Sequence, residues 1–153
     1  MASTVVDSPI GPLGLVASGS ALQSVVFDGG RLPREGRSPV LDEAARQLDA
    51  YFEGELVAFD LPLELQGTDF QRQCWLALAT IPYGQTVSYG EQARRLGLGS
   101  DKARAVGAAN GSNPLPIVLP CHRIVGANGS LTGYAGGIAR KQALLELEQP
   151  GLF

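Results

Sequence analysis

The chain has 153 residues, enough for one ordinary domain or two small ones, and its 44% hydrophobic and 18% charged residues suit a globular protein rather than a disordered or fibrous one. No apolar run approaches the ~20 residues a membrane helix needs, and the opening Met-Ala-Ser-Thr-Val-Val-Asp lacks the basic region and apolar core of a secretory signal, so a cytoplasmic protein with no membrane partner is expected. The net charge of −3 argues against a protein that holds DNA by bulk charge, although residues 1–65 carry 4 basic against 10 acidic side chains and residues 66–153 carry 8 against 5.

Along the chain, Val5-Val6, Leu13–Ala17 and Leu22–Phe27 are short β-prone runs broken by Pro9, Gly11-Pro12 and Gly19, as turns between antiparallel strands would break them. Residues 28–37 form a polar loop. Ser38-Pro39 then offers an N-cap and a proline at the first helical position, and Leu41, Ala44, Ala45, Leu48, Tyr51 and Phe52 follow with helical spacing to Gly54. Phe59, Leu61, Leu63 and Leu65 alternate with polar residues or proline and read as extended. A second, mostly helical region begins at Gln66-Gly67. Thr68 and Gln71 have the spacing of a capping box, and Phe70, Cys74, Ala77, Leu78 and Ile81 make one apolar face on which Cys74 is a small buried hydrophobe. Residues 86–112 resemble a helix-turn-helix: Ser88 caps a helix to Leu96, Gly97 and Gly99 make the turn, and Ser100 or Asp101 caps a second helix to about Ala109. Ala103, Ala105, Gly107, Ala108 and Ala109 keep that second helix thin, while Lys102 and Arg104 give it charge. A thin helix suits close approach to a partner and equally suits packing inside the protein.

The chemistry is concentrated in residues 113–148. Pro114, Pro116 and Pro120 rule out a regular helix or central strand and stiffen an otherwise apolar segment. That segment ends at Cys121, followed directly by His122, the one histidine of the chain. A free cysteine with pKa ~8.5 is only a few per cent thiolate at neutral pH, so a nucleophilic Cys121 needs a proton acceptor. His122 can serve directly or through a water, best when a carboxylate orients it. Glu148 is the candidate: on a final helix from Ile138 to Glu148 it falls between Leu144 and Leu145, on the face that also holds Ile138. Spacing alone fits equally a frayed end that leaves Glu148 in water. A cysteine beside a histidine would also allow acyl-transfer hydrolysis, but adjacent residues aim poorly at each other and no oxyanion-hole signature accompanies them. With two cysteines and one histidine, neither a disulfide framework nor a metal site is indicated, and no cofactor is expected.

Pro120-Cys121-His122-Arg123-Ile124 resembles the Pro-Cys-His-Arg-Val signature of the O6-alkylguanine-DNA alkyltransferases, with isoleucine for valine. The resemblance extends over nearly the whole chain through Asp7-Ser-Pro-Ile-Gly-Pro-Leu, Tyr51-Phe-x-Gly, Ile81-Pro-Tyr-Gly, Val87-Ser-Tyr-Gly, Ala103-Arg-Ala-Val-Gly, Asn113-Pro and Gly133-Tyr-x-Gly-Gly. It implies an α+β protein. Residues 1–65 would form a small ribonuclease H-like domain of antiparallel sheet and helix, and residues 66–153 a mainly helical, DNA-binding and alkyl-transfer domain with a helix-turn-helix. It implies direct-reversal repair by a monomer. Duplex DNA carrying O6-alkylguanine, or O4-alkylthymine, would be held at its minor groove with the damaged base flipped out, and the alkyl group would pass irreversibly to Cys121 in a single turnover. The roles carried over are Cys121 as acceptor, His122 as base through a water, and Glu148 behind it. Tyr89 would contact the DNA backbone and help protonate the departing guanine, and Arg104, beside Ala103 and Lys102 on the DNA-binding helix, would fill the gap left by the base. Asn113 would be the hinge asparagine, and Pro116, Ile124, Tyr134 and Ala135 the pocket. Some members carry zinc in the N-terminal domain, but residues 1–65 contain no cysteine or histidine. Position 135 is alanine where others have serine, which costs little if the backbone N–H makes the contact. Relatives that bind alkylated DNA without the acceptor cysteine suggest a purely binding role, against which stand Cys121, His122 and Glu148.

Overall fold

A computed structural model describes residues 2–29, 32, 34–36 and 38–151, so part of the loop expected over 28–37 lies outside the described residues. The chain forms two compact units, Met1–Leu65 and Gln66–Phe153. It is an α+β protein, with an antiparallel sheet and one helix in the first unit and a mainly helical second unit.

In the first unit, β1 (Ala2–Val6), β2 (Leu13–Ser18) and β3 (Ala21–Phe27) form an antiparallel meander in the order β1-β2-β3. The period-2 alternation of a strand puts Leu13, Leu15 and Ala17 of β2 on one buried face. Helix α1 (Pro39–Phe52) closes that face with Leu41, Ala44, Leu48 and Tyr51. Ser38 stands at its N-cap and Pro39 at the first helical position, as expected, but the Ser38 side chain makes no capping hydrogen bond. The extended piece at 59–65 is not a regular strand. Pro62 has no N–H to give a ladder, and the segment is held instead by Leu22 N–H donating to the Pro62 carbonyl at 2.8 Å and Glu64 N–H donating to the Leu22 carbonyl at 2.9 Å. The buried Gln47 side chain secures it from α1, donating to the Asp60 carbonyl and accepting from the Asp60 N–H, both at 2.9 Å.

In the second unit, α2 (Asp69–Leu78) starts with the capping box that its sequence predicts: Gln71 N–H donates to Thr68 Oγ1 and Thr68 N–H to Gln71 Oε1. Cys74 and Leu78 are buried as expected, and so is Trp75, whose indole N–H donates to the Ala109 carbonyl at 2.7 Å. A two-residue strand β4 (Val87–Ser88) leads into α3 (Tyr89–Arg95), capped by Ser88 Oγ accepting from Glu91 N–H. Gly97, with φ +78°, makes the turn in a region L side chains avoid. The expected cap at Ser100 or Asp101 is replaced by a 3₁₀ turn over Ser100–Lys102, closed by Lys102 N–H donating to the Gly99 carbonyl. Helix α4 therefore begins at Ala103 and runs to Gly111, without a side-chain cap. Cys74, Ala93, Val106 and Ala109 form the core joining α2, α3 and α4. Inside it Gln92 and Asn110 exchange amide hydrogen bonds at 3.2 and 2.8 Å, and Gln92 also donates to the Cys74 carbonyl. This pairing satisfies two buried amides at once and fixes α3 against α4.

After a second 3₁₀ turn, Cys121–Arg123, strand β5 (Ile124–Val125) pairs parallel with β4, Val87 opposite Ile124. Four residues of β structure thus set the start of α3 beside the end of the Cys121 turn. The chain closes with α5 (Ile138–Glu148), with the bounds expected from its sequence. Its buried stripe is Lys141, Leu144, Leu145 and Glu148, whereas Ile138, expected on that face, is 42% exposed at the first turn. No helix among the described residues is long and apolar enough to cross a membrane.

The segment ahead of Cys121 carries an unusual backbone. Ile117 is buried and has φ +76°, where a β-branched side chain meets its own backbone. Glycine in the left-handed region avoids a penalty of roughly 1 kcal/mol, whereas in ordinary backbone it is worse than alanine by roughly 0.5–1 kcal/mol. The order of stability should therefore invert here: Ile117→Gly should unfold at a urea midpoint equal to or above that of Ile117→Ala. A clearly lower midpoint for the glycine variant would mean that the position is unstrained.

Candidate active site

The segment 113–120 delivers Cys121 to a fixed place. Asn113 follows the end of α4, donating its amide Nδ2 to the Leu119 carbonyl at 2.8 Å and accepting from Leu115 N–H at 2.9 Å. The proline-rich loop between those contacts is closed on itself, and Leu115 to Pro120 are buried. Cys121 N–H donates to the Leu119 carbonyl and Arg123 N–H to the Pro120 carbonyl, which tightens the turn that presents Cys121.

Behind that turn lies a buried charged cluster. Glu148 Oε2 is 2.7 Å from His122 Nε2 and accepts from Arg123 Nη2 at 2.9 Å, while Glu148 Oε1 accepts from Arg123 Nε at 2.8 Å. Arg123 Nη1 also donates to the Ile81 carbonyl at 2.6 Å, and its guanidinium lies 5.8 Å from the centre of the Tyr83 ring. His122 is fully buried, and its Nδ1 has no hydrogen-bond partner among the described residues. Burial pushes the imidazole below its ordinary value, against the opposing pull of the Glu148 carboxylate, so His122 is neutral at pH 7. Burial likewise pushes the Cys121 thiol up, offset in part by the Asn113 amide and the charge of Lys141. The resting group is a thiol, and a neutral imidazole stands next to it in sequence.

In front of the turn, Cys121 lies in the wall of a cavity of about 650 Å³ shared with Tyr89, Arg104, Asn110, Tyr134 and Ala135. That volume suits a small planar ligand. The Tyr89 and Thr132 hydroxyls are 2.7 Å apart, and Lys141 Nζ donates to the Thr132 carbonyl at 3.3 Å. Of the residues expected in the site, Cys121, Tyr89, Ala103, Arg104, Tyr134 and Ala135 share the cavity wall, with His122, Glu148 and Asn113 bonded around the turn. Lys102 is exposed outside that wall, and Pro116 and Ile124 are buried residues that do not line it. Among the described residues no group of three or more His, Cys, Asp or Glu side chains is arranged to hold a metal ion.

Arg123 and Lys141 join the site without a distinctive signal in the sequence. Arg123, inside the Pro-Cys-His-Arg run, holds Glu148 with two hydrogen bonds. Lys141 is fully buried. It lies seven residues before Glu148, two helical turns away on the same face, so the spacing argument that singled out Glu148 applied to it as well. Desolvation lowers its pKa, and Cys121 opposes that shift when it is a thiolate.

Fold and site together define a two-unit α+β protein with Cys121 in the wall of a cavity bordered by Tyr89 and α4, next to a buried His122-Glu148-Arg123 cluster. Two family models match the chain: the ribonuclease-like domain of 6-O-methylguanine DNA methyltransferase over residues 1–65 and its DNA-binding domain over residues 69–150. The chain belongs to the 6-O-methylguanine DNA methyltransferase family. It is 52% identical over 149 residues to the methylated-DNA–protein-cysteine methyltransferase of Mycobacterium tuberculosis, an alignment covering 94% of this chain and 90% of the relative. It is 47% identical over 150 residues to the Methanosarcina acetivorans protein of the same name, covering 94% and 96% of the two chains. The crystal structure of the M. tuberculosis protein in complex with DNA superposes with a TM-score of 0.88 at 52% identity, covering 96% of this chain and 92% of that one. As a member of this family the chain is an enzyme of DNA repair that transfers an alkyl group from DNA to a protein cysteine.

The depressed pKa of His122 has a consequence for stability. In the unfolded chain the imidazole titrates near 6.5, and in the folded protein lower. Between those values the unfolded state binds more protons, so stability is full above pH 6.5 and is lost as pH falls through the folded value. Because His122 is the one histidine of the chain, the urea midpoint should fall more between about pH 7.5 and pH 5.5 for the parent than for His122→Asn. Parallel pH profiles would mean that His122 titrates as an ordinary surface histidine.

Proposed function

We propose that Cys121 is the alkyl acceptor, and that the cavity before it receives an O6-alkylguanine flipped out of duplex DNA. The observation that carries this reading is the position of a buried thiol in the wall of a cavity large enough to admit a base, with a His-Glu pair at the same turn and the helix that bears Arg104 along its wall. His122 Nδ1, directly or through a water, takes the thiol proton, while Glu148 on Nε2 stabilises the imidazolium that results. The thiolate attacks the saturated carbon on O6. The S–C bond forms as the C–O bond breaks, and the electron pair leaves with guanine. Tyr89 offers its hydroxyl to the departing base, which spreads the developing negative charge. The thiolate is a strong nucleophile and the guanine a stabilised leaving group, so no step needs a metal or cofactor.

Residues 66–153 act in this reading as the DNA-binding and alkyl-transfer domain, and residues 1–65 as a separate α/β domain. α4 enters the minor groove, with Ala103 and Gly107 keeping it thin enough for close approach, Arg104 replacing the extruded base and Lys102 meeting the backbone. Asn113 is the hinge between α4 and the Cys121 turn, and Tyr134 and the backbone at Ala135 face the base. O4-alkylthymine, smaller than guanine, fits the same cavity. The protein works as a monomer in the cytoplasm.

The transfer is single-use. The product is a thioether, which water attacks far too slowly for release, and Cys74 is sealed in the helical core. With excess O6-methylguanine duplex, product should therefore plateau near one per active molecule, with the added mass on Cys121. Cys121→Ser should bind the duplex but transfer nothing, since the hydroxyl is far less acidic. Linear turnover beyond one equivalent, with Cys121 unmodified, would make the protein a hydrolase.

Arg104 gives a separate test. It is exposed at the cavity mouth, and its proposed task exists only in a duplex. Arg104→Ala should slow repair of duplex DNA by tenfold or more, the order of effect expected where unstacking costs a few kcal/mol. Reaction with free O6-benzylguanine should stay close to the parent rate. Equal losses on both substrates would refute the base-replacing role.

A further inference from the structure

The loop between β5 and α5 carries a contact that the scheme above leaves unused. The Thr132 and Tyr89 hydroxyls are 2.7 Å apart, and the Thr132 carbonyl accepts from the fully buried Lys141 at 3.3 Å. Tyr89 is the first residue of α3, and its ring lies against α4: a Cβ on Gly107 would stand 3.5 Å from two of its ring carbons. The ring is thus fixed on one side by α4, while its hydroxyl is held from the other side by a residue anchored on α5.

We propose that Thr132 is a positioning residue for alkyl transfer, donating its hydroxyl hydrogen to the Tyr89 oxygen so that the Tyr89 hydrogen is directed into the cavity. The inference rests on the reading of Tyr89 as the donor to the leaving guanine. Tyrosine has one hydroxyl hydrogen. If Tyr89 gives it to Thr132, it has none for the base; if Thr132 donates, Tyr89 is free to donate onward. The chain Thr132 O–H to Tyr89 O–H to guanine nitrogen is polarised in one direction, and each link strengthens the next. Lys141 holds the Thr132 backbone, so the Thr132 hydroxyl is in place beside Tyr89 before the base arrives. The contribution belongs to the transition state, where negative charge accumulates on guanine, and not to DNA affinity.

The test compares Thr132→Val, which keeps the shape and removes the hydroxyl, with Thr132→Ser, which keeps the hydroxyl. Each is also made in a Tyr89→Phe background. Methyl transfer is followed at saturating O6-methylguanine duplex, and duplex affinity is measured separately. Thr132→Val should slow transfer about five- to tenfold, the size of one hydrogen bond expressed as a rate, with affinity within about twofold. Thr132→Ser should restore the parent rate. In the Tyr89→Phe background Thr132→Val should cause no further loss. A parent-like rate for Thr132→Val beside a slow Tyr89→Phe would overturn the role of Thr132 while leaving that of Tyr89 intact. Additive losses, or a loss in affinity alone, would also overturn it. A parent-like rate for Tyr89→Phe would remove the reading of Tyr89 and this inference with it.

Discussion

The site depends on one carboxylate. Glu148 is buried and is met by His122 on one oxygen and by Arg123 on both. An isolated buried carboxylate would cost several kcal/mol in desolvation. Here the paired guanidinium cancels the charge, and the hydrogen bonds occupy the lone pairs of both oxygens. Arg123 is in turn completed by the Ile81 carbonyl, beyond the C-terminal end of α2. The cluster therefore joins the turn at 121–123, the chain after α2 and the last residue of α5 in one bonded unit. Such a cluster is weak evidence for stability, since an apolar replacement of similar volume often does as well. What an apolar replacement could not supply is a fixed imidazole with one nitrogen committed and the other open.

Much of this was legible in the sequence, and the reasons differ from element to element. The capping box at Thr68 follows from local chemistry, in which a residue and its partner lie within one turn, and the start of α5 from the glycine pair before it, where Gly137 takes φ +90°. The helix pair around Gly97 was legible because a positive φ demands a residue without a Cβ. The start of α4 differs from its expected place because two capping-type side chains, Ser100 and Asp101, sit in a 3₁₀ turn closed by backbone alone. The extended piece at 59–65 alternated like a strand, but its ladder is interrupted by Pro62.

Contacts across long sequence separations were the illegible part. Nothing local to Val87 announces a parallel partner at Ile124. Yet that pair sets Tyr89 and Cys121 in the wall of one cavity, because Tyr89 follows β4 directly and the Cys121 turn leads directly into β5. The same holds for Trp75 reaching Ala109 and Arg123 reaching Ile81. Lys141 is a different case. Its place on the apolar stripe was available from spacing, but a long side chain can lay its stem on a core and keep its charge in water, so its position alone does not tell burial from snorkelling. Its full burial decides the matter.

The electrostatics of the resting site also fit the role proposed for Cys121. Burial raises the Cys121 thiol, so the free protein holds little thiolate for stray electrophiles or oxidants to find. Two opposing influences keep the thiolate within reach: the Asn113 amide and the Lys141 charge both favour it, and the neutral His122 is ready to receive the proton. On the proposed reading, a base seated in the cavity displaces water from the space before Cys121. Exclusion of water strengthens each fixed charge and dipole that faces the reacting atoms. On the proposed reading, reactivity rises with occupation of the cavity, and the thiol is conserved until a base stands in front of it.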